Sequence, residues 1–145
     1  MNHRLILAFA TAGLAACSTQ ACIDAFRHTE IQLEEARANA SIECSTSADC
    51  DRLWSLTKRY VVRNSVTRIR RADDTAIETA MPHTFGTVYV WASRTADDSG
   101  GTTISIKGMC RGMYRDDGSP GWLYKSCAGQ IRAVEMDFRS LIGTM

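Results

Sequence analysis

The chain has 145 residues, 17 Lys and Arg against 16 Asp and Glu, a formal charge of +1 and 45% apolar residues. That length suits one domain, and the apolar share is that of a globular chain. The charge balance argues against a nucleic-acid binder, which would carry a clear basic excess.

The first sixteen residues read as a leader peptide. Met1-Asn2-His3-Arg4 is a short, positively biased start, and Leu5 to Leu14 is an uncharged apolar run too short to span a bilayer. Leu14-Ala15-Ala16-Cys17 then matches a bacterial lipobox, in which cleavage precedes a cysteine whose sulfur carries a diacylglycerol thioether. The alternatives are plain secretion, for which Thr19-Gln20-Ala21 serves an ordinary signal peptidase poorly, and a buried amphipathic helix. Two or three acyl chains of palmitate type hold a protein at a membrane, because each buried methylene contributes about 0.8 kcal/mol. Ser18 stands where Asp would favour the inner membrane, so the expected address is the periplasmic face of the outer membrane. Removing Arg4 leaves 16 basic and 16 acidic residues. The expected organisation is a signal peptide over 1–16, a lipid anchor and helical lead-in over 17–43, and one α+β domain over 44–145.

Ile23 to Ala40 is rich in Ala, Glu, Gln and Arg and lacks Gly and Pro, which predicts a helix. Ile23, Phe26 and Leu33 recur at near-helical spacing, with Glu30 and Arg37 interrupting the stripe. Such a helix either packs on the domain or acts as a spacer. Ser47 or Asp49 can cap a second helix, whose apolar face runs through Cys50, Leu53, Trp54, Thr57, Tyr60 and Val61.

The period then changes to alternation. Val66 to Arg71 and Thr75 to Ala80 predict two short strands about an Asp73-Asp74 turn, and Pro82 ends the second. Thr87 to Ser93 is β-branched and aromatic, the clearest strand, and Thr102 to Met109 is its hairpin partner. A Gly- and Pro-rich loop leads to a last helix, Cys127 to Ile142, with Gly143 just past its end. The expected architecture is a two-layer α+β sandwich. It has three to four antiparallel strands, with helices from before and after them packed on one face.

Cys22, Cys44, Cys50, Cys110 and Cys127 follow Cys17, and cysteines in an oxidising compartment normally pair. The expected bridges are Cys44–Cys50 and Cys110–Cys127, leaving Cys22 over and open to disulfide-linked dimerisation. A crossed pairing between the two regions is the alternative. No spacing matches a zinc pattern, so neither metal nor cofactor is expected.

Cys50-Asp51, Trp54, Val61 or Val62, Asn64-Ser65, Arg68-Ile69, Asp74, Ile77 and Thr79 form a pattern over roughly 44–110. It resembles that of small envelope proteins and lipoproteins of Gram-negative bacteria that have no assigned activity. The resemblance implies an exported α+β domain. The loop "RDDGSPGWLYKS" and Cys22 depart from that pattern.

Asp73-Asp74, Asp97-Asp98 and Asp116-Asp117 are carboxylate pairs of the kind used in glycoside hydrolysis or calcium binding. Each sits at a predicted turn beside Gly, Ser or Thr, where Asp accepts from nearby backbone N–H groups. With His83 they allow a small periplasmic hydrolase as an alternative, but no nucleophile elbow is present, and no enzyme is expected. The stronger feature is the sheet's second face. Tyr89 and Trp91 point away from Val88, Val90 and Ala92. With Arg68 and Arg70, which share a side of their strand, they would form an aromatic-basic surface suited to a glycan or an envelope protein. The alternative readings put the two aromatics in the core with the valines facing out, or let the early helix cover the second face. The run from Lys58 to Arg71 is read as a solvated helix end, or as a contact to anionic headgroups. The expected function is therefore that of a lipid-anchored binding or assembly module.

Overall fold

The computed structural model describes residues 19–98 and 100–143. Residues 1–16, expected to be a leader, and Cys17 lie outside them. The order is α1 (Thr19–Asn39), β1 (Ser41–Cys44), α2 (Ser47–Arg63), β2 (Ile69–Ala72), β3 (Ala76–Thr79), β4 (Val88–Ala96), β5 (Thr102–Cys110) and α3 (Tyr124–Gly143). The fold is α+β, with helices before and after an antiparallel sheet of five strands in the order β1-β5-β4-β3-β2. The sheet thus has more than the three to four strands expected. The extra one, Ser-Ile-Glu-Cys, is four residues long and lies at the sheet edge, paired Ile42 to Ile104. So short a segment carries almost no periodicity, and its pairing comes from β5.

The β4–β5 register sets Val90 opposite Gly108 and Ala92 opposite Ile106. Val88, Val90, Ala92, Ile104, Ile106 and Ile77 are all buried, because α2 and α3 pack on this face of the sheet. From α2 come Cys50, Leu53, Leu56, Thr57, Tyr60 and Val61. Trp54, expected on the same stripe, sits at its flank and donates to the Asp73 carbonyl at 2.9 Å. Phe138 of α3 is fully buried and meets the Tyr60 ring edge-on at 5.3 Å. The Tyr60 hydroxyl donates to the Val134 carbonyl at 2.7 Å, and burial raises its pKa to about 12.

The cap of α2 differs from expectation. Thr46, one residue earlier than Ser47, is the N-cap, and its hydroxyl accepts from the Asp49 N–H at 3.2 Å. The same Thr46 hydroxyl donates to Asp49 Oδ2 at 3.0 Å.

Helix α1 packs along the flank of the sheet. Leu33, Ala36 and Ala40 are buried, Phe26 meets the Tyr124 ring at 5.1 Å, and Ala40 accepts from the Ile106 N–H at 3.0 Å. The bridges Cys44–Cys50 and Cys110–Cys127 are formed, with Cα separations of 5.4 and 5.6 Å. The first ties β1 to α2, and the second ties the end of β5 to α3. The expectation that Cys22 is left over is corrected. Cys22 is itself disulfide-bonded, and no described cysteine is free. Among the described residues no helix is long and apolar enough to cross a membrane.

Candidate binding surface

The register decides what the face away from α2 and α3 presents. Glu78 pairs with Trp91, and Trp91 pairs with Lys107. Tyr89 pairs with Met109. Side chains alternate, so Tyr89, Trp91, Lys107 and Met109 share the face that neither helix covers. The Trp91 ring is 38% exposed, with its indole Nε1 donating to the Thr79 carbonyl at 2.9 Å. Tyr89 meets it at 6.3 Å between ring centroids, interplanar angle 74°. Partial burial raises the Tyr89 pKa. Two aromatics are thus held in fixed orientation with part of their faces open to solvent.

The arginine that joins this row is not the one expected. A register shift between Ile69 and Arg71 sets Arg71 opposite Glu78. Arg71 donates to Glu78 Oε1 at 3.2 Å and to Asp73 Oδ2 at 2.6 Å. Arg68 precedes the strand and Arg70 falls in the bulge; both are exposed. The alternation expected of a regular strand would have put Arg68 and Arg70 on one side, and the bulge breaks it.

Helix α1 forms a wall beside this face. A cleft of about 670 Å³ lies between Glu30, Glu34 and Arg37 of α1 and Tyr89, Lys107, Met109 and Tyr114. A second hollow of about 430 Å³ adjoins it over Trp91, Glu78, Ser93 and Ser105. Arg37 and Lys107 line both, so the two form one groove. The tyrosine hydroxyls of 114 and 124 both donate to Glu30 Oε1, at 2.8 and 2.6 Å. Burial, and then the Glu30 carboxylate, push both phenol pKa values upward. Behind Gly108 and Arg37, which line the groove, the fully buried Glu135 of α3 accepts at Oε1 from the Gly108 N–H at 2.9 Å and from Arg37 Nε at 3.2 Å. A Cβ on residue 108 would stand 3.2 Å from Ile131 Cγ2, so glycine here lets β5 and α3 approach closely. Burial raises the Glu135 pKa, opposed by the Gly108 hydrogen bond and the Arg37 charge.

The groove therefore has an apolar floor of Tyr89, Trp91 and Met109, and walls that carry both signs of charge. It is open, and it suits a mixed polar and apolar ligand such as an extended peptide or a glycan chain. The wall on α1 was marked in the sequence: Glu30 and Arg37 are the residues that interrupt the helix's apolar stripe. Tyr114 carried no such signal.

The carboxylate pairs stand at turns. Asp73 Oδ1 accepts from the backbone N–H of Thr75 and of Ala76, each at 2.9 Å. Asp97 accepts from the Gly101 N–H at 2.8 Å, and Asp117 from the Ser119 N–H at 2.9 Å. His83 is exposed in the β3–β4 loop, at the opposite end of the sheet from Asp73-Asp74 and Asp97-Asp98. Among the described residues no three His, Cys, Asp or Glu side chains are grouped so as to hold a metal. Set against known proteins, the chain matches no described family, no curated sequence and no solved structure.

Proposed function

We propose that this protein is a membrane-anchored binding or assembly module of the bacterial cell envelope, held at the periplasmic face of the outer membrane by lipid on Cys17. The groove over Tyr89 and Trp91 is its binding surface, for an envelope protein or a glycan. One observation carries the binding role: two partly exposed aromatics are fixed on a helix-free sheet face and walled by α1. Stacking surfaces of this kind favour sugar rings and the side chains of peptides. The paired cysteines and the apolar leader support an oxidising, exported setting.

The binding test is direct. Tyr89→Ala and Trp91→Ala should leave the fold intact and abolish retention of cell-wall glycan fragments, or of a specific envelope protein, on the immobilised chain. Undiminished retention would remove the groove from the account. Loss of the fold would show the rings to be structural. The anchor is tested by intact mass of the protein isolated from membranes, with and without reductant. A sulfur in a thioether cannot also enter a disulfide, so acyl groups on Cys17 and a Cys17–Cys22 bridge are exclusive outcomes that this measurement separates.

A further inference from the structure

The topology gathers several loops at one pole of the molecule. Strand β2 begins there, β3 ends there, β4 begins there and β5 ends there, because all neighbours are antiparallel. Segments 64–68, 80–87 and 111–123 therefore meet. The Phe26–Tyr124 and Glu30–Tyr114 contacts bring the N-terminal half of α1 to the same pole.

Large apolar side chains stand out from these loops. Val66 is 75% exposed, Met81 57%, Phe85 55% and Trp122 84%. The loops are pinned. Arg111 donates to the carbonyls of Pro82 and His83 at 2.9 and 2.8 Å, and its guanidinium lies 4.6 Å over the Phe85 ring. Gly112, at φ +77°, leaves the space that the Phe85 ring fills. The Gly121 N–H donates to the Met113 carbonyl at 2.8 Å, which sets the position of Trp122. Folding has thus spent backbone hydrogen bonds on presenting apolar groups to the outside, where a monomer gains nothing from them.

We infer that this pole docks into the interfacial layer of a lipid bilayer, with Phe85 and Trp122 inserted at headgroup level. The N-terminal segment, with its apolar run Leu5 to Leu14 and Cys17, joins α1 at this pole, so any anchor it provides brings these loops to the membrane first. Tryptophan favours the boundary between headgroups and acyl chains, where its ring is half apolar and its N–H stays wet. Arg63 and Lys125 are exposed nearby and suit anionic headgroups; Asp116 and Asp117 oppose them from the neighbouring turn. The inference rests on the reading of an envelope membrane protein, but not on which modification anchors it.

The test uses the full chain bound to vesicles of phosphatidylethanolamine and phosphatidylglycerol, with and without brominated acyl chains. The difference in emission between the native protein and Trp122→Phe isolates Trp122. That component should shift to the blue and be quenched by bromine on binding. Replacing both Phe85 and Trp122 by Ser should lower vesicle partition roughly tenfold or more, with circular dichroism unchanged. A Trp122 component equally open to iodide with and without vesicles, and untouched by bromine, overturns the inference. That result would leave this pole to a protein partner. Acyl groups found by mass with Trp122 unquenched would sink the docking and spare the anchor. Quenching without acyl groups would do the reverse.

Discussion

Arg37 of α1 reaches across the sheet's flank to Glu135 of α3, with Nε 3.2 Å from Oε1, and so joins the first helix to the last. The carboxylate is fully buried, while the Arg37 side chain is 44% exposed. One partner is thus desolvated far more than the other, which is why burial outweighs the charge and the Glu135 pKa is raised. An acid whose pKa rises on folding binds more protons folded than unfolded. Its contribution to stability falls as pH rises from the ordinary carboxyl pKa through the raised one. The stability of the native protein relative to Glu135→Gln should therefore grow as pH is lowered from neutral toward about 5. Paired urea titrations would show it, and a difference independent of pH would contradict it.

Asp73 carries the opposite sign. The Thr75 N–H first, and Arg71 next, hold its carboxyl below the ordinary value of 3.8. Its contribution is present above that value and is lost as pH falls through the lowered pKa. The melting-temperature advantage of the native protein over Asp73→Asn should shrink on acidification below about 4. Asp73 is exposed, so salt should reduce the ion-pair part of the advantage and leave the turn hydrogen bonds.

Core and cap substitutions should separate cleanly. Phe138→Ala removes a fully buried ring packed edge-on to Tyr60 and should cost about 3–5 kcal/mol. Thr46→Ala loses only the capping interactions of α2, about 1 kcal/mol. Chemical denaturation measures both; a smaller loss at Phe138 than at Thr46 would refute the packing described.

The two bridges close loops of different length, 17 residues apart for Cys110–Cys127 and 6 for Cys44–Cys50. On loop-closure entropy the longer contributes about 3 kcal/mol and the shorter about 2. Paired Cys→Ser variants should follow that order in thermal unfolding. Equal or reversed losses would point to native-state effects instead.

Trp91→Ala should cost about 1–2 kcal/mol, since the ring is partly exposed and loses one hydrogen bond and one aromatic contact. Its effect on ligand retention should be much larger than its effect on the melt.

Much of the fold was legible where one period ran long enough. Val88, Val90 and Ala92 alternate with Tyr89 and Trp91, which separated the two faces of β4 and left open which of them the helices cover. The stripe from Cys50 to Val61 marked the apolar face of α2. The spacing of Cys44, Cys50, Cys110 and Cys127 anticipated both bridges because each pair is near in sequence. What escaped was short or long-range. Strand β1 is held by β5, sixty residues on, rather than by its own residues. The bulge that exchanges Arg70 for Arg71 beside Glu78 depends on the β3 register. The groove's α1 wall needs the contact with α3, which no local pattern encodes. Thr46 was passed over as cap because Ser47 and Asp49 are equally good cap types one and three residues later.

The two margins of the sheet also bear on how the protein keeps its own company. On one side β1 is only four residues long, and α1 stands across the cleft from the rest of β5. On the other, β2 is short, bulged, and lined with Arg68, Arg70 and Arg71. Short, kinked, charged margins offer no straight template for strand addition between molecules. Crowded side by side, copies of this chain should resist polymerising into cross-β fibrils even at high local density.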